Sequence, residues 1–422
     1  MRGGMRIGAI FGIPLYIHPT WLLILFLLAW MYSEGYQNVS SRLALTSGLV
    51  TAFLVLGSIL LHELGHSLVA KAQGIEVKSV TLFLFGGIAS IAKEPKDPLS
   101  NLALAAAGPL VNLVIGSFLA VVAWFALGDQ AILLGTADQT QEVISGLAVE
   151  LGVGRALVSL MALNLAVFNI VIGLFNLIPA LPLDGGQVLK SIVWKITGSR
   201  FSGIRWAAYS GQIIGIFTML LGFSALFAQA LNGIFFIFVG WFVFNSATVH
   251  LQYGRLQQAL LEIDAESAMT RDFRIVDADM SLRRFADDFL LMQEKDKQPI
   301  FFAASDGRDR GMVNADELRY IERERWEQED LHSIVKPLQS LDVVDLSTKI
   351  PRVIDMLEQK ELPYVTVLSP AGSVTGIVDR GDVIRALARR LNWRIPEAYI
   401  KRIKAEGKFP PELKLTEITS QL

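Results

Sequence analysis

Two imidazoles and a carboxylate interrupt the otherwise apolar run Leu60-Leu61-His62-Glu63-Leu64-Gly65-His66-Ser67-Leu68. On a helix, positions 62 and 66 lie one turn apart on the same face. Both rings can then offer a nitrogen to one zinc ion, with Glu63 beside them as a general base for hydrolysis. A helix whose histidines merely bond to neighbouring helices would carry the same letters, and context separates the two readings. The stretch from Ala44 to Val69 is long enough to cross a bilayer as one helix of ~20 residues. Each ionisable group placed there costs on the order of 3 kcal/mol unless it is paired or used. The chain has no cysteine, which excludes thiol catalysis and disulfides and leaves His and Asp/Glu as its strong zinc ligands.

A second segment departs from a plain span. In Asn176-Leu-Ile-Pro179-Ala-Leu-Pro182-Leu-Asp184-Gly185-Gly186, two prolines and a carboxylate appear where the apolar stretch has not ended. Proline cannot continue a helix, and irregular backbone at membrane depth is tolerated only where protein buries it or it lines a wet cavity. A cavity beside the two histidines satisfies that condition. Asp184 is then the expected third zinc ligand, Gly185 and Gly186 admit close backbone approach, and the Asn176 amide can hold substrate or a ligand. His18 and His250, each at the mouth of a span, read as interfacial residues.

These residues need a scaffold. The 422 residues are 52% hydrophobic and 18% charged, with a mean hydropathy of +0.45, too apolar for an ordinary soluble protein. Residues 1–250 hold 12 Lys+Arg and 10 Asp+Glu, whereas residues 251–422 hold 26 and 30. A membrane part therefore precedes a soluble one, and neither carries the basic excess of a nucleic-acid binder. The pattern predicts about six transmembrane helices: a short one near Trp21–Met31, the His-Glu helix, Asn101–Ala126, Val153–Leu177, Ile204–Ala230 and Gly233–Val249. Met5–Tyr16 reads as a strand or loop at the membrane surface, and residues 1–18 do not read as a cleavable signal. Between the second and third spans, Ile75–Ile91 is rich in β-branched and aromatic residues and turns at Gly86-Gly87. It predicts a β-hairpin, either a plain surface hairpin or one that handles substrate. In the third span Asn112 can hydrogen-bond across a contact opened by small residues. Gln187–Thr197 predicts a short amphipathic helix with Lys190 and Lys195 facing headgroups. Lys and Arg collect on one side of these spans, which places both termini in the cytoplasm.

Beyond a linker at 251–266, two similar halves follow at 267–322 and 340–392, with a tail at 393–422. Each half reads as helix (Leu282–Met292; Val353–Gln359), strand (Pro299–Ala304; Tyr364–Leu368), Gly turn, short strand and helix, a tandem α+β module.

His62-Glu63-Leu-Gly-His66 followed by Asn176-x-x-Pro-x-x-Pro-Leu-Asp184-Gly-Gly resembles the site-2 protease family of intramembrane zinc metalloproteases. Ala107-Gly108-Pro109-x-x-Asn112 and Phe85-Gly86-Gly87 look like features of the same family. The resemblance covers residues 1–250. It implies one zinc ion on His62, His66 and Asp184, Glu63 as base, and a single-span membrane protein entering laterally as substrate, with Phe85, Gly86, Gly87, Asn112 and Asn176 handling it. The tandem module resembles a pair of cystathionine-β-synthase (CBS) domains, as in the bacterial branch of that family. Such pairs often bind an adenine nucleotide through the pattern G-h-h-T-x-x-D. Here Asn314 and Asp379 occupy the Thr positions and Glu317 and Asp382 the Asp positions, so Glu317 and Asp382 are the nucleotide candidates.

The expectation is a multi-pass protease of a bacterial inner membrane, working in the lipid bilayer and modulated by a cytoplasmic CBS pair that also favours a homodimer. No nucleic-acid partner is expected. A transporter or channel gated by the same sensor would share the span count, and an inactive membrane scaffold would share the whole architecture. The first has no need of the two distant motifs together, and the second would normally have lost a ligand or the base.

Overall fold

The structure is a computed structural model and describes residues 4–83, 86–128, 146, 149–290 and 300–419. Met1–Gly254 and Arg255–Leu422 form two compact units.

In the first unit, long runs of Leu, Ile, Val, Phe and Ala fold as helices, because in lipid only a helix or a closed barrel satisfies its own backbone. Helix α1 (Thr20–Tyr36) has 17 residues and rises about 25 Å. It is followed by α2 (Ala44–Ala72), α3 (Pro98–Leu127), α4 (Val153–Asn176), the short α5 (Asp184–Thr197), α6 (Arg200–Phe227) and α7 (Gly233–Glu262). Among the described residues α2, α3, α4, α6 and α7 are the five helices long and apolar enough to cross a bilayer, and α1 is the shorter sixth. Their outward faces carry exposed large apolar side chains such as Phe53, Phe118, Phe125 and Phe217, as lipid contact requires. The last helix runs 12 residues past His250, so most of the segment expected as a linker is helical.

Helices meet through small residues. A Cβ at Gly215 would lie 2.7 Å from the Gly240 carbonyl oxygen, and one at Gly240 would lie 2.6 Å from that of Gly215. Helices α6 and α7 therefore pack backbone to backbone, and side-chain bulk there would force them apart.

Met5–Tyr16 is more than a surface loop. Strands β1 (Met5–Ile10) and β2 (Ile13–Ile17) join β3 (Val77–Phe83) and β4 (Gly86–Ile91) in one sheet of order β1-β2-β3-β4. The β2–β3 pair is parallel and the other two are antiparallel, which leaves β4 at an edge. Buried Ile13, Leu15 and Val80 form its core.

In the second unit, β5 (Phe273–Asp277), β6 (Ile300–Ser305), β7 (Arg308–Val313) and β8 (Val335–Pro337) make one sheet. Strands β9 (Val343–Asp345), β10 (Tyr364–Leu368) and β11 (Val374–Asp379) make the other. The second half keeps both expected helices, α8 (Ile350–Gln359) and α9 (Arg380–Leu391). In the first half, the expected helix from Leu282 is regular only to Phe285, then widens into a π-turn over Ala286–Leu290; residues 291–299, with Met292 and Pro299, lie outside the described residues. The expected second helix there is a 3-10 turn, Ala315–Tyr320. Capping explains the difference. The Asp379 carboxylate accepts from Asp382 N at 2.8 Å and the Asp382 carboxylate from Asp379 N at 3.3 Å, a reciprocal box that starts α9. Asn314 spends its amide on the Glu317 side chain at 2.7 Å and leaves the turn after it uncapped.

Gly215→Val should push α6 from α7 and cost about 1–3 kcal/mol, read as a lowered thermal midpoint in detergent, whereas Ile213→Val on the lipid face should leave the midpoint unchanged.

Candidate metal centre

Helix α2 supplies the first two groups by its own periodicity, about 9–15 Å inside its C-terminal end. The third arrives by a detour. After Asn176 the chain leaves the helix, turns through Pro179 and a cis Leu181–Pro182 bond, and re-enters helix at Asp184 as the first residue of α5. The loose backbone is satisfied by protein: Leu183 N donates to Ala180 O at 2.8 Å, Leu181 N to Ala207 O at 3.4 Å, and Ser210 Oγ to Pro179 O. The two glycines let α5 fold back on this turn. A Cβ at Gly185 would lie 2.3 Å from the Leu177 carbonyl, and one at Gly186 would lie 2.4 Å from Leu181 N.

His62 Nε2 lies 3.1 Å from Asp184 Oδ2, His66 Nε2 3.4 Å from the same oxygen, and the two Nε2 atoms 3.2 Å apart. A tetrahedral zinc ion with ligands at 2.0–2.2 Å separates its donor atoms by about 3.3 Å. The donor chemistry agrees with the spacing. His66 Nδ1 is 2.7 Å from the Leu104 carbonyl, which can only accept, so the proton sits on Nδ1 and the Nε2 lone pair points at the cluster. His62 Nδ1 meets Asn112 Oδ1 at 3.1 Å in the same way. Three electron-rich atoms thus converge on one small space, an arrangement that a cation relieves. Among the described residues this is the one such group of His, Asp or Glu side chains.

The space is kept open by Gly108 of α3, the glycine of the Ala107-Gly108-Pro109 motif. A Cβ at Gly108 would fall 2.3 Å from His66 Nε2 and 2.6 Å from His62 Nε2, in front of both donors. Glu63, the next residue along α2, lies against Gly87 of β4, which makes room for it: a Cβ there would lie 2.3 Å from Glu63 Cγ. Gly86, with φ of +129°, starts that strand, and Phe85 lies outside the described residues. Asn112 is buried against His62, whereas Asn176 is half-buried at the end of α4. Glu317 and Asp382 belong to the other unit. Asp382, 1% exposed, is held by Lys404 at 2.7 Å and Arg385 at 2.8 Å. His18 bonds to Thr20 at 2.8 Å.

Lys190 corrects an expectation. It does not face headgroups: it is 2% exposed and pairs with Glu94 at 2.8 Å, and Arg200 reaches the same Glu94 oxygen at 2.8 Å. An ammonium in apolar surroundings is stable only when paired, so the helix turns it inward to a carboxylate that the amphipathic pattern could not reveal. Burial works to raise the Glu94 carboxyl, but Lys190 and Arg200 hold it below its ordinary range. Burial also draws the Lys190 ammonium below its usual value, with Glu94 pulling the other way.

Two histidines and a carboxylate able to hold one metal ion, set among helices long enough to cross a membrane and with a second carboxylate alongside, fit the class of multi-pass membrane zinc metallopeptidases. Residues 50–222 match the model of peptidase family M50. A Synechocystis protein bearing a zinc metalloprotease name, sll0528, is 34% identical over 392 residues, 92% of this chain and 96% of its own. The zinc metalloprotease MJ0392 of Methanocaldococcus jannaschii is 27% identical over 92% of this chain and 97% of its own length. The chain belongs to peptidase family M50, the site-2 proteases. Among solved structures, the site-2 protease from Methanocaldococcus jannaschii aligns with 59% of this chain and 95% of its own, at 27% identity and a TM-score of 0.37. The CBS domain of a bacterial CNNM/CorC family Mg2+ transporter in complex with ATP aligns with 32% of this chain and 97% of its own, at 18% identity and a TM-score of 0.26.

Gly108→Ala should leave the helical content unchanged by circular dichroism and weaken zinc binding at least 10- to 100-fold, measured as metal retained after dialysis against a chelator.

Proposed function

We propose that this protein cleaves a peptide bond in or near the transmembrane segment of a single-span membrane protein, and that its soluble unit, on the cytoplasmic side, tunes that activity. The observation that carries the first part is the meeting of His62, His66 and Asp184 at 3.1–3.4 Å, with Glu63 beside them and strand β4 against Glu63. His62, His66 and Asp184 would hold the zinc ion, which when bound supplies a Lewis acid for the scissile carbonyl and lowers the pKa of water to about 7. Glu63 takes the proton of the attacking water and delivers it to the leaving amine. Asn112 and Leu104 fix the imidazoles through their Nδ1 atoms. A helical substrate hides its carbonyls in its own hydrogen bonds and has to be unwound first. The free edge of β4 can hold it extended by strand addition, with Gly86 and Gly87 keeping that edge close to Glu63 and Asn176 contributing an amide. Positive charge along the loops that follow α2 and α4 supports a cytoplasmic location for both termini.

For the soluble unit, the pattern at Glu317 and Asp382 supports an adenine nucleotide as effector, and the resemblance to paired CBS modules supports a dimer. In the second half such a ligand competes with the protein itself, since Lys404 already engages Asp382 at 2.7 Å and Asp379 at 2.9 Å.

In proteoliposomes with candidate single-span proteins, Glu63→Gln should keep its zinc and lose cleavage at least ~100-fold; persistent cleavage would remove Glu63 from the reaction. Calorimetric titration with ATP and AMP should show tighter binding in Lys404→Ala and none at that site in Asp382→Lys; heats identical in all three proteins would rule out the second half as the nucleotide site.

A further inference from the structure

Glu94 lies three residues beyond β4 and sits in none of the motifs that point to the chemistry. Its single carboxylate is nonetheless shared by two helices. Lys190 reaches it from α5, six residues after Asp184, and Arg200 reaches it from the first residue of α6. Lys190 is further held by Gln187 Oε1 at 3.1 Å, and the next residue, Ser191, accepts from Asn101 of α3 at 2.7 Å. Gly203 of α6 packs so tightly on this turn that a Cβ would lie 2.4 Å from the Lys190 carbonyl oxygen. The C-terminal half of α5 is therefore clamped on three sides, and the one ionic clamp leads directly into the segment that leaves β4.

We infer that Glu94 is a positioning residue that couples the strand beside Glu63 to the helix that presents Asp184. This rests on the reading of Asp184 as a metal ligand. The rigid body of α5 transmits the fix: a helix held at Lys190 and Ser191 cannot slide or rotate, so the Asp184 carboxylate stays about 3 Å from both imidazoles. On the other side, Ala92 N bonds to Glu76 O at 2.9 Å and Glu94 is pinned two residues later, so the end of β4 is anchored where Gly87 must stay against Glu63. A displacement of the edge strand would reach the metal ligand through one carboxylate, and the reverse. Ion pairs with both ends in water are screened and worth little; here the Glu94 side chain is 49% exposed but the Lys190 side chain is 3% exposed, so the lysine end of the pair is buried and directed toward this partner.

The test uses the full-length protein in lipid nanodiscs with the metal alone as probe. Zinc affinity is measured against a competing chelator, the cobalt-substituted protein gives the absorption bands of the ligand field, and the thermal midpoint is followed in parallel. Glu94→Gln should weaken zinc 10- to 100-fold, as loss of a supporting contact does at metal sites, and should shift the cobalt bands. Glu94→Gln combined with Lys190→Met removes the buried stranded charge, leaving only the more exposed Arg200 without its carboxylate, and should recover most of the thermal midpoint without recovering metal affinity or spectrum. If the double variant recovers all three, the pair acts on stability alone and the inference falls. It also falls if Glu94→Gln binds zinc as the unaltered protein does. Where Glu94→Gln is not obtained folded, the double variant carries the same comparison. Asp184→Ala separates the two levels: zinc retained at full affinity in that variant would overturn the metal-site reading itself, whatever Glu94 does.

Discussion

Three lone pairs aimed at one point in a low-dielectric interior repel one another, and most of what is unusual in the membrane unit follows from arranging that collision so that a cation resolves it. Two of the lone pairs come cheaply, since a single helix sets positions 62 and 66 one turn apart. The third must come from another segment, and a continuous helix could not deliver a carboxylate from its own axis into the gap. Breaking α4 at Pro179 and restarting at Asp184 does so, at the cost of exposing backbone groups that lipid cannot satisfy. Helix α6 repairs that cost, through Ala207 O and Ser210 Oγ. The N-terminus of α5 adds the favourable end of a helix dipole beside the carboxylate.

Close approach is the second consequence. Charged groups in such a place must be satisfied within hydrogen-bond distance, so neighbouring backbone comes almost into contact with them. Gly65 faces Ala107 of α3, Gly108 faces the imidazoles, Gly87 faces Glu63, and Gly185 and Gly186 face the broken end of α4. Replacing any of these hydrogens by a methyl group meets an atom at 2.3–3.1 Å. The glycines here make room; none of the five has a left-handed backbone.

How much of this could be read from the letters depends on the range of the interaction. The His-Glu helix and the Asp-Gly-Gly turn were legible because each breaks an apolar pattern at a cost that demands a reason, and their union followed from that shared cost. The spans were legible within about five residues, since lipid exposure imposes length and composition directly, except that the last helix runs on from the expected Val249 to Glu262. The Leu104 carbonyl that fixes His66 is a backbone atom and leaves no trace in residue type. Gly108 stood out as part of a motif, but its place in front of both imidazoles was not legible, because helix packing already accounts for small residues around Pro109. Lys190 misled because an amphipathic wheel assumes that lysines face outward, and the carboxylate that reverses this lies 96 residues earlier in the chain. In the soluble unit, the helix expected after Val313 failed on one side chain: Asn314 bonds to Glu317, where Asp379 caps the backbone.

The placement of β4 also has an energetic logic once a helical substrate is considered. A peptide carbonyl inside a membrane helix is shielded by its neighbours and already hydrogen-bonded, so attack requires several residues to leave the helix together. Each freed backbone group in a dry environment costs several kcal/mol if nothing replaces its partner. An edge strand replaces those partners at alternate residues, because every second residue turns its N–H and C=O toward the open edge. Among the described residues β4 is at the edge of its sheet and lies against Glu63 through Gly87, so in the proposed reaction the unwound segment would be held where the base stands. A loop in the same position would offer fewer and less regular partners, and a helix would offer none.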